Sequence, residues 1–202
     1  MMVSAQQSAF ELFVYEKIEE AVFTENLNKS LPNDIRIIEI SEVDAAFNII
    51  QNSSTKKYSY LFSSGEKIHP FCAPFMLGVL EELDIELMQK GARLFEGFHN
   101  FQRYAYKPSE HTVFEREIIS CQIIENTELI ANFFPKKTYM LKVEGAGFMR
   151  YQIRLMMGVL FQLGKGLVTI EFIKDTLENP SSETLKELAP SSGLTIDSIS
   201  FD

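Results

Sequence analysis

The sequence predicts an α+β fold, a mostly antiparallel sheet with helices packed on one face. Three observations carry this. Apolar residues alternate with period two in several short stretches, of which Tyr58, Tyr60 and Phe62 are the cleanest. Others repeat at helical spacing, as Leu83, Leu87, Met88, Ala92, Leu94 and Phe95 do. Strand-like stretches also outnumber the crossover helices that a parallel sheet needs.

In order along the chain, Ala9, Phe10, Leu12, Phe13 and Val14 read as a strand or apolar element feeding Ile18 to Phe23. Ser30-Leu31-Pro32-Asn33-Asp34 is a turn by its chemistry. Ile35, Ile37, Ile38 and Ile40 follow as a strand. The polar run 51–55 marks a break between a first region, 1–50, and a second, 51–202. The Tyr58 strand ends at Ser63-Ser64-Gly65, and a helix follows over 83–98, stopped by Gly97. Residues 112–124, 129–134 and 137–143 read as three strands, with Glu125-Asn126 as a turn. A helix over 148–163 closes at Gly164 and Gly166. Two short helices are expected at 170–177 and 182–188, the second opened by the cap chemistry of its Ser182-Glu183-Thr184 start. Leu194, Ile196, Ile199 and Phe201 suggest a last strand.

The 202 residues are 46% hydrophobic and 12% aromatic, so the chain can bury a core. A net charge of -9 argues against a generic nucleic-acid binder, although local clusters decide such binding. Cys72 and Cys121 have no Cys or His at metal spacing, so no metal site is expected. Without an apolar secretory stretch at the N-terminus they read as reduced thiols of a cytoplasmic protein. No apolar run reaches the length of a membrane span.

The stretch from Gly145 to Gly158 is the most specific. Arg150 and Arg154 lie four residues apart on one helical face, beside the apolar Met149, Ile153, Met156 and Met157. An arginine at an apolar helix start needs a partner, because an unpaired buried charge is costly.

Seven motifs in order resemble the tRNA pseudouridine synthase A (TruA) family over nearly the whole chain. Val3-Ser4-Ala5 resembles the tail of the family's Arg-Thr-Asp-x-x-Val-[His/Ser]-Ala motif, and Leu27-Asn28-x-x-Leu31-Pro32-x-Asp34-Ile35 a second motif. Lys56-Lys57-Tyr58-Ser59-Tyr60, Gly97-Phe98-His99-Asn100-Phe101 and Arg116-Glu117-Ile118 follow. Gly147 to Gly158 and Ala189-Pro190-x-x-Gly193-Leu194 complete the series. The resemblance implies isomerisation of uridine to pseudouridine in tRNA, in the anticodon stem-loop, by a homodimeric enzyme that uses no cofactor.

It also implies roles. Arg154 matches the arginine that pairs with the catalytic aspartate, Tyr58 the tyrosine that stacks on uracil, and Leu194 an apolar pocket wall. Lys56, Lys57, His99 and Arg103 are candidate RNA contacts. Arg103 stands in a basic-aromatic run with Tyr104, Tyr106 and Lys107. Arg150 is expected either to reach a phosphate or to pair with Glu144. The family often has His and Arg where this chain has Asn48 and Ile50. Counting back from Val3 puts the nucleophilic aspartate ahead of Met1, so the chain reads as a fragment that is inactive alone. The residues by themselves also fit a second class, a non-catalytic RNA-binding or protein-interaction α+β domain.

Overall fold

A computed structural model describes residues 3–201. The chain falls into two compact units, one of residues 1–8 with 53–202, the other of Ala9–Asn52. In the smaller unit α1, Glu20–Ser30, is the one helix among the described residues. The apolar residues 9–14 form no regular element, and neither does the expected Ile35–Ile40 strand. Asn28 is the reason for the second difference. Its side-chain amide donates to the Ile37 carbonyl at 3.0 Å, and its Oδ1 accepts from the Ile37 N–H at 2.8 Å. One side chain thus supplies what a neighbouring strand would give.

The larger unit is built on a sheet of seven strands among the described residues: β1 (Ser4–Ala5), β2 (Ser53–Ser64), β3 (Leu77–Val79), β4 (Gly97–Asn100), β5 (Glu115–Glu125), β6 (Tyr139–Gly145) and β7 (Leu194–Phe201). The order is β1-β7-β2-β6-β5-β4, and β3 pairs the far end of β2. Only β1–β7 and β2–β3 are parallel. The predicted α+β class and its mostly antiparallel sheet therefore hold.

Alternation along the long central strands explains their two faces. Tyr60, Phe62, Leu141, Val143, Cys121 and Ile123 bury one face against α2 (Ile85–Arg93), α3 (Gln152–Gly164) and α4 (Ile170–Glu178). Leu61 and Met140 point the other way, into a smaller core with Cys72 and Met76. Helix α3 is buried almost all round, which is why its sequence is apolar on every side. None of the helices of the described residues is long and apolar enough to cross a membrane.

Four local expectations change. The 83–98 helix stops at Arg93, and Gly97, at φ +100°, instead opens β4. The 148–163 helix begins only at Gln152, because Tyr151 adopts a left-handed backbone (φ +64°) that a right-handed helix cannot continue through. Residues 129–134 are turns, since the Asn126 side chain accepts from the N–H groups of Glu128 and Leu129 and donates to the Leu129 carbonyl. Residues 182–188 form no helix. The Leu185 N–H donates to the Arg103 carbonyl and Thr184 Oγ1 to the Ala105 carbonyl, so these groups bond to a neighbouring segment rather than along a helix.

Candidate active site

Helix α3 and the chain after Leu188 make one unit of structure. Gly158 has no side chain, and a β-carbon there would run into the Glu187 carbonyl oxygen. The missing side chain lets the 187–189 backbone lie directly on the helix. At its start the Ala189 N–H donates to the Arg154 carbonyl at 3.1 Å, and Arg154 Nε donates to the Ala189 carbonyl at 2.6 Å. One residue on, the Pro190 carbonyl accepts from the Tyr60 hydroxyl at 2.7 Å. Gly193 meets the ring of Tyr60 so closely that a β-carbon would lie 2.6 Å from it. The turn from Ala189 to Leu194 is clasped from both sides.

Arg154 is half-buried in this clasp, its guanidinium 4.9 Å from the ring centre of Tyr151. Among the described residues it has no ion pair. Burial pushes the Tyr60 phenol far above its usual range, and the Arg154 charge offsets part of that rise. Tyr60 is therefore held as a neutral hydrogen-bond donor.

Tyr58 stands two residues from Tyr60 on the same face of β2. Its ring meets Phe148 edge-on at 5.3 Å, and burial raises its phenol pKa. Leu194, almost fully buried, pairs across the sheet with Tyr60. Lys56 is one step beyond Tyr58 on the same strand. Arg154, Tyr58, Leu194 and Lys56 thus gather on one side of the sheet.

The other candidates lie elsewhere. Lys57 points to the opposite face and pairs with Glu144 at 3.5 Å, so the carboxylate considered for Arg150 is already engaged. On that face a cavity of about 300 Å³ is lined by Lys57, Lys142, Glu144 and Asp197. Lys142 pairs with Glu128 there. Asp197 is the extra residue of a bulge in β7 and accepts from the Ser59 hydroxyl at 2.6 Å. Burial holds its carboxyl above the usual value, with the Ser59 bond and Lys142 pulling it back and Glu128 adding to the rise.

His99 sits on β4, three strands across the sheet from Tyr58, with Nε2 2.8 Å from the Glu96 carbonyl. Arg103 turns to α4, bonding Asp175 at 3.1 Å and resting on Phe172 at 5.8 Å. Sequence reasoning missed Tyr60, Tyr151 and Phe148. The period-two spacing from Tyr58 pointed to the first; no signal marks the left-handed backbone of Tyr151.

Known proteins are similar to this chain in sequence. The family model described as tRNA pseudouridine synthase matches residues 92–202, just over half of the chain. The chain is 28% identical to tRNA pseudouridine synthase A 2 of Bacillus anthracis over 186 residues, 92% of this chain and 72% of that protein. It is 30% identical to tRNA pseudouridine synthase A of Pelobacter propionicus over 179 residues, 89% of this chain and 70% of that protein. With tRNA pseudouridine synthase A of Thermodesulfovibrio yellowstonii it shares 28% over 181 residues, 87% and 69% of the two chains. These matches define an isomerase class. The chain belongs to the tRNA pseudouridine synthase family.

Proposed function

We propose that this chain carries the arginine and tyrosine side of a site that converts uridine to pseudouridine in the anticodon stem-loop of tRNA. The observation that carries the reading is Arg154, which is half-buried, fixed by the Ala189 carbonyl and Tyr151, and without an ion pair among the described residues. A guanidinium so placed is ready to orient a carboxylate and keep it ionised away from water.

The reaction conserves every atom. The C1′–N1 bond of uridine breaks, the uracil turns, and a C1′–C5 bond forms. C5 loses its proton to solvent and N1 gains one. A carboxylate nucleophile attacks to begin the sequence, and the detached base needs an aromatic face to rest on. Tyr58, buttressed by Phe148, offers that face, and Leu194 supports the apolar wall. The raised pKa keeps the Tyr58 phenol neutral, so it acts on the C5 proton as a relay and not as a phenolate base.

In this reading the nucleophile is the aspartate of the family's Arg-Thr-Asp motif, a run that the 202 residues do not contain, and without it they form no product. Two copies assemble as a dimer in this reading. Tritium release from tRNA labelled at C5 of uridine tests it. The chain extended through Arg-Thr-Asp should release tritium and the 202 residues should not. Tyr58→Phe in the extended chain should slow release about 10²-fold, the lower end of what a positioned proton-transfer group gives, with an unchanged melting temperature. Product from the 202 residues alone overturns the assignment of the nucleophile.

A further inference from the structure

Beside the Arg154 clasp lies a second cluster, built from the loop after Tyr104 and the turn before α3. The Tyr106 N–H donates to the Arg150 carbonyl at 3.3 Å. The Tyr106 and Tyr151 rings stand 4.9 Å apart, tilted by 47°. The Arg150 guanidinium lies over both, 5.7 Å from Tyr106 and 5.2 Å from Tyr151, and the Lys107 ammonium lies 5.4 Å from Tyr106. Lys107 and Tyr151 are the two non-glycine residues with left-handed backbone among those described. The surrounding fold therefore holds this cluster in place against local backbone preference.

Next to it opens a groove of about 360 Å³, lined by Tyr106, Lys107, Leu155, Leu185, Lys186 and Leu188. Its floor is apolar and its cations are exposed. Lys107, Arg150 and Lys186 form no ion pair among the described residues, although the chain carries nine more negative than positive charges. The nearby Glu183 and Glu187 do not line the groove. Tyr151 joins the two places, since Arg154 rests on the same ring.

Unpaired cations around aromatic faces suit a ligand that is both anionic and planar. A single-stranded nucleotide is both, because every base stacks and every linkage carries a charge. We infer that this groove docks an unpaired nucleotide of the RNA substrate next to the target uridine. Tyr106 takes its base, and Arg150, Lys107 and Lys186 take its phosphates. The inference rests on the tRNA-isomerase reading above and adds the surface that grips the RNA outside the reacting pocket.

Binding of an unmodified, fluorescently labelled tRNA transcript to the full chain at several salt concentrations tests it, beside tritium release by the extended chain. Lys107→Gln with Lys186→Gln, both exposed, should weaken binding about tenfold and lower the salt slope by about two. Tyr106→Ala should weaken binding about tenfold, as loss of one stacked base does, with an unchanged slope. Arg150→Gln repeats the charge test should Tyr106→Ala fail to fold. If all variants bind like the wild type, the inference is overturned, the groove is left to another occupant such as an acidic protein segment, and the isomerase reading stands. If the variants lose affinity while the extended chain forms no pseudouridine, the surface stands and the isomerase reading falls. A wild type with no affinity for tRNA overturns the inference and removes the support it draws from that reading.

Discussion

Two arginines, Arg103 against α4 and Arg154 at the start of α3, are built alike and end differently. Each lays its guanidinium on an aromatic ring, Phe172 at 5.8 Å and Tyr151 at 4.9 Å. Arg103 then meets the Asp175 carboxylate at 3.1 Å, which consumes its charge within the fold. Arg154 meets no carboxylate among the described residues and donates instead to backbone, the Ala189 carbonyl at 2.6 Å. A carbonyl fixes the guanidinium without neutralising it, so the charge stays available for a carboxylate brought from elsewhere. The first arginine ties a helix to its neighbour; the second holds a position.

The sharpest way to break this contrast is Arg154→Lys in the extended, active chain. It keeps the charge and loses the planar fork. Activity should fall about 10²- to 10⁴-fold, the equivalent of the roughly 3–5 kcal/mol that breaking a desolvated pair costs. The melting temperature should move little. An active lysine variant would show that Arg154 is a second structural arginine.

Gly158→Ala attacks the platform under Arg154 instead of the arginine. The added methyl meets the Glu187 carbonyl, so stability should drop by about 2–3 kcal/mol despite alanine's better helix propensity. Urea denaturation measures this, and an unchanged midpoint would mean that the 187–189 segment is free to lift off.

Arg103→Ala should have the reverse signature of Arg154→Lys. It should lower stability by about 1–2 kcal/mol through lost packing and pairing and leave tritium release per folded molecule unchanged.

The smallest effect concerns Asp197. Its folded-state pKa is raised above the ordinary 3.8, chiefly by burial. The proton is held more tightly in the folded state, so the stability from this group is complete below that ordinary value and lost as pH rises through the folded value. Asp197→Asn keeps the acceptor for Ser59 and should raise the melting temperature at pH 7 by about 1–3 °C. The group is only partly buried and faces Lys142, which limits the gain. The difference should vanish as pH falls toward 4 in a series of thermal melts.

The sequence made β2, β6, β7 and the cores of α2, α3 and α4 legible, because their backbone bonds follow the period that their apolar residues announce. It hid the places where backbone groups are satisfied from outside that period. Asn28 replaces a strand at Ile37, and Arg103 and Ala105 carbonyls replace a helix at Thr184 and Leu185. In the candidate site all of Arg154, Tyr58, Tyr60 and Tyr151 stood in recognisable motifs, but nothing in the sequence marked Tyr60 as the clasp on Pro190 or Tyr151 as the ring under Arg154. Nothing local separated Arg103 from Arg154 either, since Asp175 lies 72 residues along the chain from its arginine.

The Ser59–Asp197 bond joins residues 138 positions apart, and β7 beside it completes the wall that carries Leu194. On a ribosome moving at about 5–20 residues per second, β2 therefore waits roughly 7–28 seconds for β7. Until then the Tyr60 hydroxyl has no Pro190 carbonyl to donate to, and Arg154 has no Ala189. The nascent chain passes through most of its synthesis with the corner around Arg154 open, and that corner closes only with the last strand.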